Sequence, residues 1–341
     1  REEALDKIKY GMMISIREGS AAKNFEALIG LLDEFPEFIM FCSDDKHPNE
    51  LVYGHINLLV ARAVAHGISP MKALRAATYN VVKHYKLDIG LLQPGDTADF
   101  IIVNNLEEFK VLSTYINGKK VSENGITHIS SVEEKPINFF QCKKIKTTDI
   151  EVEAKSGKIH VIEATDGQLI TNNLICNCKI ENNKAISDVE NDILKMVVLN
   201  RYKESPPAVA FAKNFGIKHG AIASTVAHDS HNIIAVGAND QDIVKAVNLL
   251  IESKGGISLV SAGEEMVLGL PVAGLMTVDD GYKTAAEYDK MDKKAKSLGS
   301  KLGAPYMTLS FCALLVIPKL KLSDKGLFDG EKFQFTSLFE N

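Results

Sequence analysis

Over residues 1–88 the apolar positions follow two alternating periods. Leu5, Ile8 and Met12 sit at helical spacing from the outset, as if an element were already under way. Met12 to Ile16 reads as a short strand closed by Arg17-Glu18-Gly19-Ser20. Residues Ala21 to Leu32 then place Phe25, Leu28, Ile29 and Leu32 on one helical face, and Pro36 ends that pattern. Phe38-Ile39-Met40-Phe41-Cys42 is a continuous apolar run, the form of a parallel strand buried on both faces. A helix is expected from about Leu51 to His66, stopped by Gly67. Another starts at Ser69-Pro70, where Ser suits the cap and Pro the first turn. Strand, helix, strand, helix with short connections predicts a parallel α/β sheet or barrel.

From Gly90 the texture changes. Residues 90–99 are turn-rich, Phe100 to Val103 is a strand, and Val111 to Ile116 and Lys119 to Val121 flank Asn117-Gly118, a strong hairpin signal. Short β-like stretches and charged turns continue to about residue 165. Beyond it, Ala221 to Ala227, Ile233 to Val236, Ile257 to Val260 and Glu265 to Leu270 are strand-like. Asn239 caps a helix with an acidic first turn that runs to about Ser253. A charged, exposed helix is expected over Ala285 to Leu298 and a buried strand over Phe311 to Val316. Three segments result: 1–88 as α/β, 89–160 as a small β unit with linker, and 161–341 as an α+β domain.

Composition narrows the class. The 341 residues are 45% hydrophobic and 24% charged, the balance of a globular chain of more than one domain. The longest purely apolar run, 311–317, falls far short of the ~20 residues that a membrane helix requires, so no membrane partner is expected. Net charge is −5 with both signs mixed and no basic block, which argues against nucleic acid. Cys42, Cys142, Cys176, Cys178 and Cys312 are odd in number and scattered, as reduced thiols of a cytoplasmic protein would be. The Cys176-Asn177-Cys178 pair lacks a second pair or nearby His to complete a zinc site and is read as structural. The chain opens on Arg1 without a signal-type hydrophobic region and reads like the back part of a longer polypeptide.

The sharpest candidate chemistry is Ser43-Asp44-Asp45-Lys46-His47-Pro48, directly after the apolar strand. At the C-terminal end of a barrel strand, a carboxylate can ligate a divalent metal or take a proton from metal-bound water. Alternatively Asp44 or Asp45 merely caps a helix or shapes a turn. Arg17 and Glu18 either pair with each other or face the site. His228-Asp229-Ser230-His231-Asn232 packs five polar residues between two strand-like runs. It is either a loop that contacts a heteroaromatic ligand or metal, or a self-satisfied polar turn. His55, among Leu51, Leu58 and Leu59, is expected as a core histidine or one that supports the site from behind. No phosphate-cradling Gly-rich loop, no Gly-x-Ser-x-Gly elbow and no cytidine-deaminase zinc signature occurs.

Taken with their neighbours, these motifs carry a resemblance. Phe41 to Pro48, Gly54-His55-Ile56-Asn57, Ala76-Ala77-Thr78-Tyr79-Asn80 and the Pro94-Gly95-Asp96-Thr97-Ala98-Asp99 turn, followed by Phe100 to Val103, resemble the end of an amidohydrolase-superfamily barrel. Ile16 to Asn24, Ala221 to Asn232 and Pro305 to Phe311 are similar to blocks of the bacterial and archaeal adenine deaminase family, in family order. The resemblance implies the C-terminal part of a metal-dependent hydrolase (β/α)8 barrel over 1–88, a small β-sandwich segment with linker over 89–160, and an adenine deaminase α+β domain over 161–341. It implies hydrolysis of adenine to hypoxanthine and ammonia by metal-activated water, in purine salvage or adenine catabolism, with a binuclear Mn2+ or Fe2+ centre. By that resemblance Asp44 would be metal ligand and proton shuttle, and Asp45 would hydrogen-bond the purine ring or hold Asp44 in place. His228, Asp229 and His231 are the candidate substrate contacts if their loop reaches the site. The family's remaining metal ligands match nothing here: the nine histidines form no His-x-His pair. The chain alone is therefore expected to be incompetent, needing the N-terminal part of its barrel, and a homo-oligomer is expected. Another cyclic amidohydrolase of the same superfamily and a non-catalytic scaffold or oligomerisation fragment are the alternatives.

Overall fold

The computed structural model describes residues 1–20, 22–132, 134–155 and 157–340, and the chain divides into two units, residues 1–133 and 134–341. The first opens with α1 (Glu2–Lys9), β1 (Ile14–Arg17), α2 (Phe25–Leu28), α3 (Leu31–Glu34), β2 (Ile39–Cys42), α4 (Pro48–Leu51), α5 (Ile56–Ala65), α6 (Pro70–Ala77) and α7 (Tyr79–Tyr85). β1 and β2 pair in parallel, Ile14 opposite Ile39 and Arg17 opposite Cys42. Ile16, Ile39 and Phe41 pack with Phe25 and Leu28 of α2, Leu31 and Leu32 of α3, Leu59 and Ala63 of α5, and Ala73 and Ala76 of α6. Helices clothing parallel strands are the expected α/β layer. Among the described residues of this unit, however, only two strands run parallel, so a closed barrel is not part of what the chain builds here.

Two helices are shorter than their periodicity suggested. The pattern over 21–32 breaks at Gly30 into α2 and α3, and Ala21 lies outside the described residues. The pattern over 51–66 is cut by Gly54, whose φ of 146° suits only glycine and whose added Cβ would lie 2.7 Å from Leu58. Apolar spacing continues in register across that break, so periodicity could not reveal it. Ser69 holds the cap position of α6 without a side-chain cap bond, and Pro70 occupies the first turn.

The four-stranded antiparallel sheet β3 (Phe100–Val103), β4 (Val111–Ile116), β5 (Lys119–Glu123), β6 (Ile126–Thr127) belongs to this first unit. Asn117 (φ 50°) and Gly118 (φ 73°) both turn left-handed between β4 and β5, as a two-residue hairpin needs. Ahead of the sheet, the Asp99 carboxylate accepts from the Thr97 hydroxyl and from the Gly90 and Asn117 N–H groups. Those donors, the Thr97 hydroxyl foremost, hold its carboxyl below the usual range.

The second unit is built on one sheet in the order β16-β15-β13-β14-β11-β12-β7-β8. Its strands are β7 (Lys158–Glu163), β8 (Asn172–Asn177), β11 (Ile193–Leu199), β12 (Ala208–Lys213), β13 (Ala221–Ser224), β14 (Ile233–Gly237), β15 (Gly256–Ser261) and β16 (Glu264–Gly269). The short hairpin of β9 (Lys179–Glu181) and β10 (Lys184–Ile186) stands apart. All pairings in the large sheet are antiparallel except β7 with β12. Strand alternation sends Leu194, Met196 and Val198 to one face and Val197 and Leu199 to the other. The second face is covered by α8 (Asp240–Ser253), whose Asn239 cap accepts from the Asp242 N–H as its sequence predicts. The first is covered by α9 (Gly281–Ser297) and α10 (Pro305–Phe311) and by β17 (Leu320–Ser323) and β18 (Gly326–Asp329), to which β19 (Gln334–Phe335) adds a third short strand.

Two expectations fail in this unit. α9 is exposed on one side only, since Ala285, Tyr288, Met291 and Ala295 are buried. The strand expected over 311–316 is the end of α10 and the turns after it. All of α10 is buried, so it carries no polar stripe to betray helical period, and a short apolar run then mimics a strand. Among the described residues, no helix is long and apolar enough to cross a membrane.

Candidate functional site

Parallel register sets the C-terminal ends of β1 and β2 side by side, so the loops that follow them meet. The Glu18 N–H donates to the Cys42 carbonyl at 3.1 Å and the Ser20 N–H to the Asp45 carbonyl at 3.3 Å. Arg17, last residue of β1, reaches across to Asp44, two residues past β2: Nη1 to Oδ2 is 2.6 Å. Asp44 itself is left-handed (φ 48°), which a short polar side chain tolerates. Its side chain is 45% exposed and Arg17's 28%, so the pair sits at the rim and contributes on the order of 1 kcal/mol or less to stability. The open question about Arg17 and Glu18 is settled: they do not pair with each other. Glu18, 12% exposed, accepts instead from Arg62 Nη1 of α5 at 2.7 Å.

Around Asp44 the loops are laced by short polar links. The Ser20 hydroxyl donates to Glu50 Oε2 at 2.6 Å and accepts from the His47 N–H at 2.9 Å. Ser43 Oγ lies 2.6 Å from His55 Nε2. His55 is therefore not a core residue; it is the exposed N-cap of α5, bonded to the neighbour of Asp44. Asp45 lies so close to Gly19 that an added Cβ would come within 2.6 Å of Oδ1. Burial pushes the His47 imidazole down to about 4, against the opposing pull of Glu50, so it is neutral at pH 7. The Cys42 thiol is pushed up by burial and by the Asp44 charge.

The second group of expected residues lies in the other unit, in the turn between β13 and β14. The His228 ring stacks on Phe311 of α10 with centroids 4.8 Å apart and 12° between planes, and the His231 ring meets it edge-on at 5.3 Å. His228 Nε2 and His231 Nδ1 are buried and have no hydrogen-bond partner among the described residues. Burial, with the charges of His228 and Arg201, lowers the His231 pKa. Asp229 is 76% exposed and lies 3.7 Å from His228 Nδ1. A fully self-satisfied polar turn, one of the two expectations, does not describe this loop. Phe311 and Arg201 were invisible as partners beforehand, because nothing near either in sequence pairs it with a turn so far along the chain.

No group of three or more His, Cys, Asp or Glu able to hold a metal occurs among the described residues. Asp44 stands as a single carboxylate donor, and a guanidinium already occupies one of its oxygens.

Comparison with known proteins shows what the chain is similar to. The description "Adenine deaminase C-terminal domain" matches residues 168–334 and "Amidohydrolase family" matches residues 2–121. An adenine deaminase of Methanosarcina acetivorans is 50% identical over 99% of this chain and 63% of its own length. Those of Salinibacter ruber and Borreliella burgdorferi are 48% and 46% identical, each over 62% of its own length. The chain is thus similar to adenine deaminases along nearly its whole length. It spans a little under two thirds of the length of these curated relatives. The amidohydrolase match ends at the four-stranded sheet of the first unit, and the C-terminal match covers the large sheet from β8 onward together with the 228–232 turn.

Proposed function

We propose that the protein carrying this chain deaminates adenine hydrolytically, giving hypoxanthine and ammonia. The supporting observation is the roughly one-in-two identity to adenine deaminases over 98–99% of the chain, with both candidate clusters inside the aligned span. In this reaction the water oxygen bonds to C6 and the C6–N6 bond breaks. Asp44, at the C-terminal end of β2, accepts the proton lost by water and returns it to the departing amine, a general-base then general-acid role. Arg17 holds one Asp44 oxygen and leaves the other for the proton. Asp45, His228, Asp229 and His231 are proposed substrate contacts. The unpartnered nitrogens of His228 and His231 are suited to the ring and exocyclic nitrogens of a purine.

Amidohydrolases are generally metal-dependent, and manganese or iron is proposed for the intact enzyme. The described residues do not fit a metal centre by themselves, because Asp44 is one donor and no three-ligand group accompanies it. The 341-residue chain on its own is expected to release no ammonia from adenine.

The deciding experiment uses a protein of the relatives' full length. Asp44→Asn keeps size and loses the base, so adenine-dependent ammonia release is expected to drop by about three orders of magnitude or more, the usual scale for a positioned general base, with far-UV circular dichroism unchanged. Turnover near wild type would refute the role of Asp44. A substrate panel in which a cyclic amide outruns adenine would favour another amidohydrolase activity.

A further inference from the structure

Arg201 is 3% exposed, and among the described residues its guanidinium hydrogen-bonds to no carboxylate. Its Nε donates to the His231 carbonyl at 2.5 Å. Nη1 donates to Asn138 Oδ1 at 3.1 Å and to the Phe139 carbonyl at 3.5 Å. Nη2 donates to the Tyr202 hydroxyl at 2.9 Å and to the Ala273 carbonyl at 2.6 Å. The five N–H donors of the guanidinium thus meet five neutral oxygens on three separate chain segments and on its own neighbour. The guanidinium also lies over the Tyr202 ring, 4.4 Å from its centroid, and 5.7 Å from the Phe140 ring centroid. A buried charge answered by neutral oxygens and aromatic faces is a poor device for stability, since its desolvation is not repaid by an opposite charge. What it provides is geometry, because a planar fork fixes its acceptors relative to one another.

The surroundings are shaped for it. Gly274 (φ 70°) approaches so closely that an added Cβ would fall 2.8 Å from Arg201 Nη1. The Thr225 hydroxyl, at the start of the same turn as His228, donates to the Gly274 carbonyl at 2.5 Å. The Tyr202 hydroxyl, itself held by Arg201, donates to the Ser230 carbonyl at 2.9 Å. The Arg201 backbone N–H donates to Asn232 Oδ1 at 3.3 Å. Arg201 and Tyr202 therefore grip consecutive residues 230, 231 and 232, and His231 is held left-handed at φ 51°, an uncommon conformation for a side chain of its size.

We propose that Arg201, seconded by Tyr202, is a positioning residue for substrate binding: it sets the backbone of the 228–232 turn so that the His228 and His231 nitrogens face a purine. This rests on the proposal that the turn contacts adenine. The test compares His231→Ala, Arg201→Lys, Tyr202→Phe and the double variant Arg201→Lys/His231→Ala in the full-length enzyme, by steady-state kinetics with adenine and by thermal melting. Lysine keeps the charge and loses the fork, and Tyr202→Phe removes a single hydroxyl, so folded protein is expected even where Arg201→Met fails to fold. His231→Ala and Arg201→Lys are each expected to raise KM about tenfold, the worth of one or two hydrogen bonds, with kcat within about twofold. Tyr202→Phe is expected to give a smaller rise, and the double variant a KM no higher than that of His231→Ala. If His231→Ala raises KM while Arg201→Lys only lowers the melting temperature, Arg201 is structural and this inference falls, with the turn's role intact. Multiplicative KM effects in the double variant overturn it equally, because Arg201 would then act elsewhere. If His231→Ala leaves KM unchanged, the turn does not bind substrate and the inference falls with it.

Discussion

Lys195 gives a sharp test of how charge is managed inside the second unit. It lies mid-strand in β11 with its side chain 1% exposed, and its ammonium is held by Asp240 Oδ2 at 2.7 Å and the Ile150 carbonyl at 3.2 Å. Asp240 begins α8 and is 21% exposed. Asp240→Ala leaves a buried ammonium with one carbonyl for company. Removing one partner of a buried pair costs roughly 3–5 kcal/mol, and the partial exposure of Asp240 puts this case at the lower end, about 3 kcal/mol. Lys195→Met removes the charge instead. Asp240 can then be hydrated, and only the Ile150 carbonyl loses a donor, a cost of about 1 kcal/mol that the lifted desolvation of the ammonium offsets in part. The two variants of a single ion pair should thus differ about threefold in cost. Equilibrium urea unfolding followed by far-UV circular dichroism reads this directly. With a slope of ~2–3 kcal/mol per molar urea, Asp240→Ala should move the midpoint down by about 1 M and Lys195→Met by a few tenths. If Lys195→Met is as destabilising as Asp240→Ala, the pair itself is the source of stability, and the account of an ion tolerated only because it is answered is wrong.

Two pH dependences follow from buried groups. The half-buried His47 has its folded pKa depressed to about 4, so its stabilising contribution is complete above the unfolded value near 6.5 and is lost as pH falls from there to 4. Discounted for partial exposure, that loss is roughly 2 kcal/mol; His47→Gln should flatten the acid limb of the stability profile, and an unchanged limb would show that His47 does not titrate in the folded chain. Lys321 is fully buried, donates to the Leu169 and Phe311 carbonyls, and has its pKa lowered to about 8 by burial, with Cys312 opposing. The unfolded chain then holds more protons than the folded one between about pH 8 and 10.5, so wild type should gain stability relative to Lys321→Met across that window. A difference between the two that stays flat with pH would contradict this.

Much of the candidate chemistry was legible because it lies in short contiguous stretches. An apolar run followed by Ser43-Asp44-Asp45 reports a buried strand ending in carboxylates, and the structure places Asp44 just past the C-terminal end of β2. Asn117-Gly118 and the Asn239 cap are likewise local events, decided by φ preferences and by a side chain bonding its own backbone three residues on. The errors fall where local pattern carries no signal: Gly54 interrupts a helix without disturbing its apolar spacing, and α10 hides its period by being buried all round.

By itself, then, the sequence determined most of the elements, the turn that carries His228 and His231, and the likeness to adenine deaminases, since all three are written in neighbouring residues. Tertiary structure alone decided that Arg17 pairs with Asp44 rather than Glu18, that His55 is an exposed cap bonded to Ser43, and that Arg201 ties Asn138, His231 and Ala273 together. Those pairings join residues 12 to 72 positions apart. A hydrogen bond depends on distance and angle between side chains, and such distances exist only once parallel register and sheet order have brought the strand ends together.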